Sequence, residues 1–156
     1  TLGTRPDLRT VVEAAHAVGA VVVVDGCQGV VHGGVDVRAM DCDFYAFSGH
    51  KLYGPTGIGV LYGKRELLER MPPFMGGGDM VDTVTFAKTT YAPVPLKFEA
   101  GTANFVGAIG LGEAVKFMQR FDPAEIEAHE EALLHRATER LQVRHSLVQC
   151  RGGASL

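Results

Sequence analysis

No stretch of this sequence is apolar for long enough to span a bilayer. The valines at 21–24 fall far short of the ~18 residues a spanning helix needs. No basic run and no acidic tail interrupts the chain, and the formal net charge is only −3 at pH 7. Neither a nucleic acid nor an anionic membrane surface is therefore expected as a partner. Cysteine is scarce. Cys27, Cys42 and Cys150 show no CxxC spacing, which argues against a zinc site or a disulfide framework and suits the reduced thiols of a cytoplasmic protein. No metal site is expected. There is no internal repeat, no low-complexity segment and no signal-peptide pattern. The chain opens on Thr1 and stops shortly after Arg151-Gly152-Gly153, so it reads as an internal fragment of a longer protein.

What is present is a globular composition. The 156 residues are 46% hydrophobic and 21% charged, enough for one domain with a core and typical of soluble proteins. The 20 glycines cluster at 26–34, 49–63, 76–78 and 101–112, between apolar segments, as if the backbone repeatedly turned close to something.

Hydrophobic periodicity predicts a helix over 6–18, with Thr4 as a candidate cap, Pro6 early and Gly19 as a stop. Residues 20–26 follow as a continuous β-branched run, the pattern of a strand buried on both faces of a parallel sheet. A short helical turn at 36–40, strands at 43–48 and 57–62 and a helix at 64–71 complete an α/β order. Residues 72–100 lack a long period and are broken by proline and glycine; a loop of that length is usually functional or covered by a partner. Helices are expected at 104–121, with Phe105, Ile109, Leu111, Ala114, Val115 and Met118 as the apolar face, and at 123–142, with Ile126, Leu133, Leu134, Ala137 and Leu141. A strand of another domain could begin at 146–150.

Chemistry concentrates at two strand ends. The first reads Asp25-Gly26-Cys27-Gln28 and the second Ser48-Gly49-His50-Lys51. Open α/β sheets bind ligands at the carboxyl ends of their strands, so Asp25 and Lys51 could meet across one pocket. A pyridoxal 5'-phosphate (PLP) enzyme needs such a pair. A lysine amine forms an imine with the cofactor aldehyde, and an acid keeps the pyridine nitrogen protonated, so that the ring accepts electrons from the substrate α-carbon. Ser48 and His50 could bind a phosphate, and Gln28 could donate to the phenolate oxygen. Taken singly these residues mean little. A strand-end Asp is usually a cap or turn residue, and a lone Lys is usually solvated. The joint pattern, continuing into Tyr53-Gly54-Pro55-Thr56-Gly57, is much more specific.

Residues 24–28 and 43–62, with Gly76-Gly77-Gly78-Asp79-Met80 and Phe98-Glu99-Ala100-Gly101-Thr102, resemble a group II cysteine desulfurase of the SUF/CSD type. These are class V aminotransferase-like enzymes of PLP fold-type I. The resemblance implies an α/β fold: part of a large PLP-binding domain over 1–142, a mainly parallel sheet flanked by helices, and the start of a small C-terminal domain over 143–156. It implies catalytic roles for Lys51, Asp25 and His50, and cofactor contacts from Lys51, Asp25, Gln28, Ser48, His50 and, across a homodimer interface, Thr102. Cys27 stands where the family is expected to have alanine.

The implied reaction converts L-cysteine to L-alanine and passes sulfur, through an enzyme persulfide, to an acceptor protein serving iron–sulfur cluster or thio-cofactor assembly. The family's ring-stacking histidine and carboxylate-region asparagine would lie before Thr1. Its sulfur-accepting cysteine and carboxylate-binding arginine would lie after Leu156, which leaves the isolated piece inactive. Two alternatives are another class V enzyme (a selenocysteine lyase acting on L-selenocysteine, an aminotransferase or an epimerase) and a non-catalytic fragment.

Overall fold

The computed structural model describes residues 4–32 and 34–144. Helix α1 (Leu8–His16) leads into strand β1 (Val23–Asp25), the short helix α2 (Val37–Met40) and strand β2 (Phe44–Ser48). Strand β3 (Gly59–Gly63), helix α3 (Arg65–Arg70), a hairpin of β4 (Val81–Val84) and β5 (Thr89–Tyr91), and helices α4 (Phe105–Met118) and α5 (Pro123–Arg144) follow.

Strand order in the main sheet is β1-β2-β3. β1 runs parallel to β2, with Asp25 opposite Ala46. β3 is antiparallel to β2, with Ser48 opposite Gly59. Connection length explains the difference. A parallel return needs a dozen or more residues, which residues 26–43 supply; the shorter link between β2 and β3 permits only reversal. Val12, Val24, Cys42 and Tyr45 form the buried core, with Leu8, Val22, Val37, Met40, Phe47 and Tyr62 packed around it.

The elements follow the sequence reading closely, with instructive differences. Helix α1 is capped by Asp7, whose carboxylate accepts from the Thr10 amide at 3.2 Å, so Thr4 and Pro6 precede the helix. Asp7 is the better cap because its oxygen reaches an amide left free in the first turn. The valine run is not buried on both faces. Val24 lies in the core, whereas Val21 and Val23 are 55% and 67% exposed. Successive strand residues point to opposite sides, and among the described residues only the side facing α1 is covered. The supposed loop at 72–100 contains the β4–β5 hairpin. Its signal was the β-branched and aromatic content of residues 81–91, obscured by the surrounding prolines and glycines.

The two last helices form as expected, but much of their apolar surface is open. In α4, Leu111 and Ala114 are buried while Phe105 and Ile109 are exposed. In α5, Ile126 is half-buried and Leu133, Leu134, Ala137 and Leu141 are exposed. α5 meets the rest of the chain through polar contacts, Arg5 to Glu127 at 2.9 Å and His32 to Glu130 at 2.8 Å. α5 runs to Arg144, past the expected domain change at 142; the expected strand at 146–150 lies outside the described residues. No helix among them is long and apolar enough to cross a membrane.

Candidate active site

β1 and β2 are parallel neighbours, so their carboxyl ends emerge side by side. The Gly26 amide continues the ladder by donating to the Ala46 carbonyl at 2.8 Å. The chain then turns through a 3-10 segment at Gly29–Val31, beside the 3-10 turn Gly49–Leu52 that follows β2. Lys51 lies in that second turn, half-buried. Asp25, Cys27, Ser48 and Lys51 thereby converge at one end of the sheet.

Asp25 is exposed, and its hydrogen bonds favour the charged form. The Cys27 amide, donating to Oδ1 at 3.0 Å, is the main cause that lowers its carboxyl below the usual value; the Cys27 thiol adds to this, and Lys51 attracts it further. An anion and a lysine amine thus attract each other at the strand ends. The Cys27 sulfur lies 3.8 Å from the Ser48 hydroxyl and 4.0 Å from the Ala46 carbonyl. Cys27 therefore packs beside Ser48.

Two glycines are sterically required. A Cβ on Gly26 would overlap the Tyr45 ring. Buried Tyr45 stands under the turn and its hydroxyl donates to the Gly26 carbonyl at 3.3 Å. A Cβ on Gly49 would come within 2.9 Å of the Ile58 side chain and 3.0 Å of its carbonyl. That approach lets the Gly49 amide bond to Ile58 at 2.9 Å and closes the lysine turn against β3.

Helix α4 supports the same turn from behind. Leu52 and Leu111 are both buried, and Leu111 packs against Gly49 and Gly54. Asn104 caps α4 by accepting from the Gly107 amide at 2.9 Å and donates to the Gly57 carbonyl at 3.0 Å. One side chain thus ties the start of the helix to the loop that carries Lys51. This clasp and Tyr45 were not anticipated from the sequence, because Asn and Tyr at such positions carry no local signature beyond capping and strand propensity.

The expected site residues divide into two groups. Asp25, Ser48 and Lys51 come together at the strand ends. Gln28 and His50 lie on the same two turns with exposed side chains. Thr102 lies apart. It is exposed on the segment after the 3-10 turn Leu96–Phe98, where Gly101 donates to the Gly78 carbonyl at 2.9 Å. A cleft of about 360 Å³ elsewhere is lined by Arg65, Glu69, Tyr91, Pro93 and Lys97, and none of the expected site residues borders it.

The donor set fits a PLP-like group. It offers an amine for an aldehyde, a carboxylate kept ionised for a ring N–H, an amide for a phenolate oxygen, and a hydroxyl with an imidazole for a phosphate.

Comparison with known proteins agrees with this chemistry. The aminotransferase class-V family matches residues 1–151. A probable cysteine desulfurase of Vibrio cholerae is 60% identical over 127 residues, covering 81% of this chain and 31% of that protein. The crystal structure of the cysteine desulfurase CsdA (S-sulfonic acid) from Escherichia coli superposes with a TM-score of 0.88 at 51% identity, over 91% of this chain and 36% of that one. A more distant neighbour is a lysine-to-alanine variant of C-DES with glycine covalently linked to its PLP cofactor. It has a TM-score of 0.67 at 26% identity, over 78% of this chain and 34% of its own. The chain thus spans about a third of the length of the relatives it resembles.

Proposed function

Because this chain belongs to the aminotransferase class-V family and has the fold of the PLP-dependent cysteine desulfurases, we propose that it carries the lysine-bearing part of a PLP-dependent cysteine desulfurase. The observation that carries this reading is the convergence of ionised Asp25 and Lys51 at the ends of adjacent parallel strands. The substrate would be L-cysteine, the product L-alanine, and the sulfur would leave as a persulfide bound for an acceptor protein.

PLP, when bound, supplies an electron-accepting ring for the electrons released at the substrate α-carbon. The residues of this chain have separate tasks. Lys51 Nζ would hold the cofactor covalently and would serve as the base for the α-proton. The Asp25 carboxylate holds a proton on the ring nitrogen, and its bond from Cys27 keeps that carboxylate oriented. Gln28 would donate to the phenolate oxygen. Ser48 and His50 would bind the phosphate, and His50 would also have a catalytic role. Thr102, exposed on a separate segment, would serve the phosphate site of a second copy, and the working unit would then be a homodimer. The thiols Cys27 and Cys42 are free, in keeping with a cytoplasmic setting.

The test is chemical labelling. The full-length protein loaded with PLP is reduced with borohydride and digested, and the pyridoxyl-bearing peptide is found by mass. The label is expected on Lys51. A label on Lys64 or Lys97 would refute the assignment.

A further inference from the structure

We propose that Asp43 is a positioning residue for this site: its buried carboxylate clamps the start of β1 to the start of β2 and fixes the register that sets Asp25 beside the lysine turn. The inference rests on the reading of Asp25 and Lys51 as the cofactor pair.

Asp43 is 6% exposed, the buried charged side chain of the described residues. One oxygen accepts from the Val22 amide at 2.7 Å and lies 2.9 Å from His16 Nε2. The other lies 3.1 Å from Lys64 Nζ. The backbone repeats the same connections. The Asp43 and Phe44 amides both donate to the Val22 carbonyl, at 3.1 and 3.0 Å, and the Asp43 carbonyl accepts from the Lys64 amide at 3.0 Å. A single residue therefore joins the end of α1, the start of β1 and the end of β3.

β1 needs such a clamp. It is three residues long and pairs along one edge among the described residues. The valines at 21–24 are interchangeable as strand formers, so their side chains specify register weakly. A slip of one residue would turn every side chain of β1 to the opposite face, exchanging the surroundings of Val24 and Asp25. The Asp43 carboxylate discriminates between registers, because losing the Val22 N–H would leave a buried charge short of a partner. The clamp sits at the amino end of β1 and the site at its carboxyl end, about 10 Å apart at the rise of a strand. An error at one end is carried to the other, and a displacement near 1 Å in a catalytic group can lower turnover by ~10²-fold.

The experiment uses the full-length protein with Asp43→Ala, Asp43→Asn, Asp25→Asn and Val12→Ala. Val12→Ala thins the same core without touching the bonds of Asp43. Amide hydrogen exchange on the cofactor-free protein reads the clamp directly. Asp43→Ala is expected to speed exchange at residues 22–25 at least ~10-fold more than at residues 44–48. Asp43→Asn, whose amide oxygen still accepts from Val22, is expected to keep the protection of residues 22–25 relative to residues 44–48 as it is in the parent. The visible absorption band of bound PLP and its pH titration read the effect on the site. Asp43→Ala is expected to shift them toward those of Asp25→Asn; Asp43→Asn and Val12→Ala are expected to leave them in place.

Unchanged exchange at 22–25 in Asp43→Ala, or an equal band shift in Val12→Ala at matched melting temperature, would overturn the proposal. If Asp43→Ala does not fold, Asp43→Ser is read in its place with the same two outcomes: exchange faster at 22–25 than at 44–48 supports the clamp, and unchanged exchange at 22–25 overturns it. Should Asp25→Asn itself leave the band and turnover unchanged while exchange behaves as expected, the cofactor reading fails and the clamp stands.

Discussion

At the scale of single residues, the proposed cofactor site asks for one charged carboxylate at the end of β1. Asp25 achieves this with its nearest neighbour: the Cys27 amide is the largest cause that lowers its pKa, ahead of the thiol and of Lys51. Asp25→Asn would retain much of the shape and lose the charge. A neutral amide cannot hold a proton on the ring nitrogen, so turnover in the full-length enzyme should fall at least ~10²-fold, the scale seen when a preorganised electrostatic partner is removed. The cofactor should still be recovered on Lys51 after borohydride. Steady-state rates and peptide mapping check the two halves, and near-normal turnover would reduce Asp25 to a strand-end cap. Cys27 makes the opposite prediction. Its backbone, not its sulfur, donates the 3.0 Å bond to Asp25, and the family expectation at this position is alanine. Cys27→Ala should therefore keep turnover within about 2-fold of the parent, since replacements that leave the key bonds intact are mild. Loss of persulfide formation in that variant would instead make Cys27 a participant.

At the scale of elements, strand ends and packed turns decide where those residues stand. Gly26→Ala would drive a methyl into the Tyr45 ring. Overpacking typically costs about 1–3 kcal/mol, and here the strain falls between Asp25 and Gln28. The variant should melt lower and hold PLP more weakly, as a thermal scan with and without cofactor would show; a double variant that also shortens Tyr45 to Leu should recover part of the loss. The Asp43 clamp makes a prediction in pH. Burial alone would raise this carboxyl, but the Val22 amide, His16 and Lys64 outweigh it and hold it at about 2, against 3.8 in the unfolded chain. A folded-state value below the unfolded one stabilises above the unfolded value, and the benefit is lost as pH falls toward the folded one. The difference is about 2 kcal/mol. The melting-temperature gap between the parent and Asp43→Asn should be steady above about pH 5, shrink through 3.8 and be nearly closed near 2. Lys64 and His16 face this carboxylate, and Asp41 lies against both of them; added salt should narrow the gap only modestly at a site this buried.

These same elements show how far the sequence could be read. Asp25 and Lys51 were legible because each ends a strand-like run, and strand ends are where α/β folds place ligands. The order of α1, β1, β2 and β3 was legible from periodicity. Asp43 was not recognised as special, because an acid ahead of an aromatic run looks like any surface residue until the Val22 amide and Lys64 close on it. The hairpin of β4 and β5 was hidden for a different reason. Its strands are short, mostly exposed and flanked by breakers, so no hydrophobic alternation marks them. Thr102 is exposed, and the role proposed for it needs a second chain, so the contacts of one chain do not mark it.

At the scale of the whole molecule, the distribution of apolar surface governs what this chain can do by itself. Val23 of β1, Phe105, Val106 and Ile109 of α4, and Phe86 in the link of the hairpin are all well exposed. Scattered exposed hydrophobics are ordinary, but here they recur on one face of a strand and one side of a helix, where a covering layer is expected. β1 also leaves one edge unpaired among the described residues, which invites strand addition by another chain. The chain spans about a third of its relatives, so the proposed cover is the remainder of such a protein together with a second subunit. Residues 1–156 expressed alone with PLP should therefore bind a hydrophobic dye strongly, self-associate in a concentration-dependent way and release no sulfide from cysteine under reductant. The full-length protein should do the reverse on all three counts. Dye fluorescence, light scattering and a sulfide assay with alanine quantified in parallel make the comparison. A soluble monomer of residues 1–156 that released sulfide and alanine in equal amounts would show that the site is complete within this chain, and that Thr102 needs no second copy to act.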